Sequence, residues 1–204
     1  MDYDFAFTSF DTWLPQQTTN SSDELLAALH QLDRLPPSSL LVRRLRVDTQ
    51  IASAIVLDRL HRFRPRWIVC CGMAESRSTL TVEVQAKQES SICQTAVDVP
   101  SLVSGLSITE VSYDAGDFVC NDLYYRLLSE IRSHHLPTVG LFVHVPPLTA
   151  ENHHLIETEF LEICHRLKQL KPSFAKIANP DTARLTVLSK LGVDEFVETF
   201  PQHR

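Results

Sequence analysis

From Tyr3 to about Leu170, short apolar runs alternate with stretches whose apolar residues recur every three or four positions. The first pattern suits strands and the second amphipathic helices, and their alternation predicts an α/β fold with a largely parallel sheet. "YDFAFTSF" (3–10) reads as the first strand, and a polar loop leads to a helix through "DELLAALHQL", with Ser21 or Ser22 as its cap. "LLVRRLRV" alternates like a half-exposed strand, and "TQIASAIVLDRLHRF" has helical spacing that ends at Pro65. "WIVCCG" and "TVGLFVHV" read as buried strands. In "STLTVEVQA", Leu80, Val82 and Val84 share one face, and Thr79, Thr81, Glu83 and Gln85 the other. The stretch from Lys87 to Gly105 predicts no regular element. Beyond it, "ITEVSYDAG" leads into a helix over "NDLYYRLLSEIRSHH", and a long helix follows across "TAENHHLIETEFLEICHRLKQL". From Pro172 onward the pattern predicts a strand or turn, a helix through "TARLTVLSKL" and a tail. No repeat, low-complexity tract or interdomain linker interrupts the chain, so one domain is expected.

Composition narrows the function classes. A chain of 204 residues with 44% hydrophobic content can bury a sizeable core without metal or disulfide support. The net charge of -6 argues against a general nucleic-acid binder. The basic stretch "RLHRFRPR" (59–66) then reads as a solvated helix end, where cations suit the dipole. The five cysteines (Cys70, Cys71, Cys93, Cys120 and Cys164) are odd in number and irregularly spaced, unlike a secreted disulfide framework. The acidic N-terminus is not a signal peptide, and no apolar run approaches membrane-spanning length. These features predict a cytoplasmic protein with neither a nucleic-acid nor a membrane partner.

Several chemistries lack their motifs. There is no P-loop, no GxGxxG and no GxSxG, and neither HExxH nor CxxC offers a metal site, so no metal or cofactor is expected. The pairs His134/His135 and His153/His154 lie in polar helical stretches, where adjacent side chains diverge and face solvent. Cys120, His144 and Glu83 remain. Cys120 alone reads equally as a small core residue, but it follows the tight turn "DAG" at the start of an amphipathic helix. There, unpaired N–H groups and the helix dipole favour a thiolate and can hold an oxyanion. His144 stands at the C-terminal end of a predicted strand, the edge at which α/β sheets build their sites. Its bland reading is a histidine hydrogen-bonded at a strand end, and Glu83 alone reads as solvent-facing. Together the three make a nucleophile, a base and an acid that orients the base.

"SYDAGDFVCNDLYYRLL" followed by "GLFVHVPPL" resembles the active-site region of the pyroglutamyl peptidase I family, which reads roughly S-x-x-A-G-x-[FY]-x-C-N-x-x-x-Y and then [FI]-x-H-[VI]-P. Upstream, "CCGMAESRSTLTVEVQA" is similar to the family's G-x-A-G-G-R-x-x-[IL]-x-x-E-x-x-A, which places Glu83 on the catalytic acid and Arg77 on its arginine. "FTSFDTW" resembles T-G-F-x-P-F. The resemblance implies that Phe10 and Trp13 flank a pyroglutamyl ring and that Met73, Phe118 and Val119 line the pocket. It further implies a three-layer α/β/α sandwich over residues 1–171, with an extension at 172–204 packed on the same domain. A thiol peptidase without metal or cofactor would then remove N-terminal pyroglutamyl residues from small peptides with blocked N-termini, as a homodimer or homotetramer. The sequence departs from the family where Leu14-Pro15 and Glu75-Ser76 replace glycine pairs. It departs again in "AKQESSICQTAVDVP", where the N-x-x-x-A-R-I-P-D-N-x-G stretch is unrecognisable and Cys93 falls about where the family has an arginine beside the scissile carbonyl. Three readings follow: a peptidase of this family, the same thiol chemistry on another small N-terminal group or amide, and a non-catalytic binding or scaffold homologue.

Overall fold

A computed structural model of the chain describes residues 3 to 170. Six strands form the main sheet: β1 (Phe5–Phe10), β2 (Ser39–Leu45), β3 (Trp67–Met73), β4 (Leu80–Glu83), β7 (Thr109–Ser112) and β8 (Val139–Val145), in the order β2-β1-β3-β8-β4-β7. All neighbouring pairs are parallel except β4 with β8. Strands β5 (Gln85–Gln88) and β6 (Ser91–Gln94) make a separate antiparallel hairpin.

Alternation along each strand sorts side chains into two cores. Phe5 and Phe7, Val69 and Cys71, Leu80 and Val82, and Leu141, Val143 and Val145 pack on one face, under α1 (Ser21–Gln31), α3 (Val99–Val103) and α5 (His153–Gln169). Ala6 and Phe10, Ile68 and Cys70, and Phe142 pack on the other, under α2 (Thr49–Phe63) and α4 (Val119–Ser133). The result is the expected three-layer α/β/α sandwich. Each large side chain buried this way stabilises the fold by about 1.5–3 kcal/mol relative to exposure. Gly140 lets α4 lie close on β8, since a Cβ there would come within 3.2 Å of Leu127, Leu128 and Ile131.

The structure revises several local expectations. Asn20 caps α1, its side chain accepting from Ser22 N, so neither Ser21 nor Ser22 is the cap. "STLTVEVQA" is two strands rather than one, broken at Val84, whose N–H bonds Ser112 while β5 leaves to pair with β6. The stretch from Lys87 to Gly105 holds the end of β5, all of β6, and α3, capped by Asp98. Among the described residues no helix is long and apolar enough to cross a membrane. The helix expected through "TARLTVLSKL", and the whole extension at 172–204 with it, lies outside the described residues.

Candidate active site

Strand alternation carries the candidate triad to one place. Phe142 and His144 on β8 point to the α2/α4 side, as do Cys70 and Gly72 on β3 and Thr81 and Glu83 on β4. Gly72 pairs in register with His144, and Thr81 lies opposite it on β4. Cys120, in the first turn of α4, places its Sγ over Gly72, where a Cβ would come within 2.6 Å of the sulfur. The thiol therefore rests on the strand position beside His144 because that position has no side chain. The ring of Phe142 adjoins the same spot, with its centroid 4.9 Å from that of His144.

His144 Nδ1 lies 2.8 Å from Glu83 Oε1. A carboxylate accepts, so Nδ1 carries the proton and Nε2 is left as the basic nitrogen. Glu83 is 0% exposed, which removes its solvent-facing reading. The reason is topological: β4 lies between β7 and β8 with both of its faces covered. Arg77 Nη1 donates to Glu83 Oε1 at 2.6 Å and also bonds Thr81 Oγ1, while its Nη2 donates to the Asp114 carbonyl at 2.8 Å. Burial alone would raise the Glu83 carboxyl. The His144 hydrogen bond and charge, with Ser112 and Arg77, outweigh it and hold the group below its usual range.

Cys120 departs from the expected low-pKa thiol. Burial over Gly72, then coupling to the neighbouring Cys70 thiol and the negative charge of Glu83, push it up to about 12; Arg77 and the residue's own N–H offset this only in part. The helix start is otherwise open. Asn20, Asp48 and Asp98 cap α1, α2 and α3 with side-chain hydrogen bonds, whereas α4 starts at Phe118 with none. The N–H groups of its first turn are thus available to an oxyanion beside Cys120.

The expected substrate wall is only partly assembled. Trp13 and Phe118 are 45% and 54% exposed and meet edge to face with centroids 4.8 Å apart. A flat ring held between two others needs roughly 7 Å, so this pair is closed on itself. Phe10, expected beside Trp13, is 2% exposed in the α2/α4 core, because alternation along β1 turns it inward with Ala6. Val119 is buried in the same core. Met73 turns to the opposite layer, its Sδ accepting from Ser21 N at 3.4 Å. Cys93 is also buried, under α4, and supplies no cation.

Three residues support the site in roles that the sequence did not disclose. Arg77 had only a motif position to mark it, and its contacts with Glu83 and Thr81 depend on the turn that precedes β4. Asn121 clamps the hairpin to α4, its Oδ1 accepting from Lys87 N at 2.8 Å and its Nδ2 donating to Lys87 O at 2.7 Å. Tyr124 donates its hydroxyl to the Glu83 carbonyl at 3.0 Å. Asn121 was marked only as the residue after Cys120 in the motif, and Tyr124 only by its place one helical turn beyond Cys120. Among the described residues no group of His, Cys, Asp and Glu is arranged to hold a metal.

Residues 102–160 match a family model described as pyroglutamyl peptidase, an interval that contains both Cys120 and His144. The chain is similar to the pyrrolidone-carboxylate peptidase of Enterococcus faecalis, with 29% identity over 117 residues, 45% of this chain and 55% of the relative. The match therefore spans about half the length of that relative. The Bacillus velezensis pyrrolidone-carboxylate peptidase is 27% identical over 172 residues, 72% of this chain and 79% of the relative. Among solved structures, pyroglutamyl peptidase I from Bacillus amyloliquefaciens superposes with a TM-score of 0.71 at 21% identity, covering 83% of this chain and 97% of its own. Pyrrolidone carboxyl peptidase from Thermococcus litoralis gives 0.67 at 17% identity, covering 88% and 100%.

Proposed function

We propose that this chain, a diverged relative of the pyroglutamyl peptidase family, is a thiol hydrolase that cleaves the amide bond after an N-terminal pyroglutamyl residue. The observation that carries the reading is a juxtaposition: His144 Nδ1 sits on Glu83 Oε1 at 2.8 Å, and Cys120 Sγ sits over Gly72, the in-register neighbour of His144.

The chemistry follows from the protonation states. With Nδ1 donating to Glu83, His144 Nε2 takes the Cys120 proton as Sγ attacks the amide carbon, and the oxyanion forms at the open first turn of α4. The imidazolium passes that proton to the amide nitrogen, the C–N bond breaks, and the amine departs, leaving a thioester. Water then attacks the thioester carbonyl, giving its proton to Nε2, and the thiol is restored as pyroglutamate leaves. Glu83 orients the ring throughout and faces the charge that His144 gains. Arg77 balances Glu83 between turnovers. These residues all lie within 1–171. We place the enzyme in the reducing cytoplasm, where Cys120 stays a thiol, and take it to be a homodimer or homotetramer, which sedimentation would test.

The closed Trp13–Phe118 pair and the buried Phe10 and Cys93 favour one second reading, the same chemistry on a different small N-terminal group. A fluorogenic pyroglutamyl amide, run beside a panel of other N-terminal aminoacyl amides and against Cys120→Ala, tests both. Turnover of the pyroglutamyl amide that vanishes in the variant supports the first reading. Cys120-dependent turnover of another amide alone moves the assignment to the second, and no turnover of any amide rejects both.

A further inference from the structure

The end of the sheet at which β1, β3 and β8 begin is the opposite end from Cys120, and it holds an open cavity of about 470 Å³. Arg62, Arg64, Arg66 and Asp4 line it, together with the rings of Tyr3 and Phe63. The three arginines come from the basic run that the proposed catalytic site leaves unused. Arg62 sits in the last turn of α2, Arg64 takes the left-handed position just after it (φ 45), and Arg66 follows Pro65 at the start of β3. This change of direction brings alternate residues of one short segment to the same cavity.

Charge separates this site from an ordinary solvated helix end. Arg34, Arg43, Arg44, Arg59, Arg77 and Arg166 each meet a carboxylate, whereas Arg62, Arg64 and Arg66, like the exposed Arg46, Arg126 and Arg132, form no ion pair among the described residues; what sets the first three apart is that they share one cavity. Three guanidinium groups thus face a cavity with one carboxylate, in a chain whose net charge is -6. The helix dipole accounts for a cation or two at the end of α2, but not for a third beyond Pro65 on the same cavity. Two of the groups are also held in place. Arg62 lies over the Phe63 ring at 5.2 Å; Arg66 lies over Trp67 at 5.7 Å and donates to the Leu170 carbonyl at 2.5 Å. Tyr3 and Phe63 pack edge to face with centroids 5.4 Å apart, giving the cavity an apolar wall. Guanidinium groups match phosphate oxygens in geometry and in charge, and the volume lies within the range of small-ligand sites.

We propose that this cavity binds a polyphosphate group, carried by a nucleotide or free in solution. A site of this size takes a few phosphates rather than a nucleic-acid strand, which the overall negative charge would repel. The site is independent of the peptidase chemistry.

Titration calorimetry of the full chain, in magnesium-free buffer at low salt, tests it with ATP, inorganic triphosphate and adenosine. ATP and triphosphate should bind saturably and adenosine should not. Arg62→Glu combined with Arg64→Glu should weaken both by about tenfold or more. Asp4→Asn should tighten them, and Arg46→Glu, at an exposed arginine away from the cavity, should change neither. A higher affinity for ATP than for triphosphate assigns the Tyr3–Phe63 wall to a base, and equal affinities assign the site to free polyphosphate. All the substituted side chains are exposed, so folding is expected to survive; if the double variant is unfolded by circular dichroism, Asp4→Asn decides. Absence of saturable binding below about 1 mM overturns the proposal, as does equal weakening by Arg46→Glu or an affinity indifferent to the cavity substitutions.

Discussion

Replacing Glu83 by glutamine should move two properties of the site in opposite directions. Glu83 accepts from His144 Nδ1 at 2.8 Å and from Arg77 at 2.6 Å, and its charge is among the causes that hold the Cys120 thiol up at about 12. For Cys120 to pass its proton to Nε2 the sulfur must come within about 3–4 Å of it, which puts the sulfur roughly 7–8 Å from the carboxylate across the imidazole. At an effective dielectric of about 20, one charge at that range is worth about 2 kcal/mol, or roughly a 30-fold change in thiolate fraction. Arg77, left without its carboxylate, acts in the same direction. A more acidic thiol is also a weaker nucleophile, so the net gain in alkylation rate should be about five- to tenfold. Turnover should fall instead, because the amide holds the imidazole tautomer poorly and cannot face the charge His144 acquires. The corresponding change in serine-protease triads lowers kcat by about 10⁴-fold, so a loss of roughly 10²–10⁴-fold is expected. Iodoacetamide labelling of Cys120 at fixed neutral pH, with the labelled residue identified by mass spectrometry, is read beside kcat on the active amide. Slower or unchanged labelling in Glu83→Gln would refute the argument that the Glu83 charge reaches the sulfur, and undiminished turnover would refute its role in orienting the base.

Gly72→Ala places a Cβ within 2.6 Å of Cys120 Sγ, so the nucleophile must shift; we expect kcat to fall by about 10²-fold or more and stability by about 1–3 kcal/mol, read from kinetics and a urea melt. Glu159, although burial alone would raise its carboxyl, is held below its ordinary value of 4.5 by Thr109, Ser107 and Ile108. A depressed carboxylate stabilises the fold above its unfolded value, and that contribution is lost as pH falls through the folded value. Glu159→Gln should therefore cost about 2 kcal/mol at pH 7 and flatten the acid limb of stability against pH, as urea melts from pH 7 down to 3 would register. Gln17 accepts from Trp13 N and Leu14 N and donates to Glu75 at 2.5 Å, so Gln17→Ala should loosen the Trp13 loop. Acrylamide quenching reads this directly, because Trp13 is 45% exposed and Trp67, the other tryptophan, only 2%; an unchanged quenching constant would show that Gln17 does not hold the loop.

What the sequence disclosed divides by the range of the forces involved. The strands and helices up to Phe63 follow from local periodicity, and the structure keeps their limits to within about two residues. His144 was legible because a single polar residue ends a run that is apolar on both faces. The burial of Glu83 was not, since alternation says which face a side chain takes but not whether a helix covers that face. Only the sheet order, with β4 between β8 and β7, decides it. Phe10 shows the converse: its alternation with Ala6 points inward, and the structure buries it in the α2/α4 core.

The Cys120 thiol shows most clearly where a local argument ends. Its position at the start of α4 supplies unpaired N–H groups and a favourable dipole, which taken alone would lower its pKa. The same position presses the sulfur onto a sheet whose Gly72 leaves a gap the width of a side chain, and desolvation there exceeds what the helix end contributes. These are two consequences of one close approach, and they assign different work to the helix. In the proposed reaction it does not hold a resting thiolate; it receives the negative charge only after the sulfur has attacked and the charge has moved to the carbonyl oxygen. Under that proposal His144 takes the proton during attack, which makes the Glu83 hydrogen bond at 2.8 Å part of the chemical step and not only a means of fixing the ring. A site organised this way should stay a neutral thiol between substrates and alkylate slowly, which iodoacetamide labelling of the unsubstituted protein at neutral pH checks; fast labelling of Cys120 would overturn it.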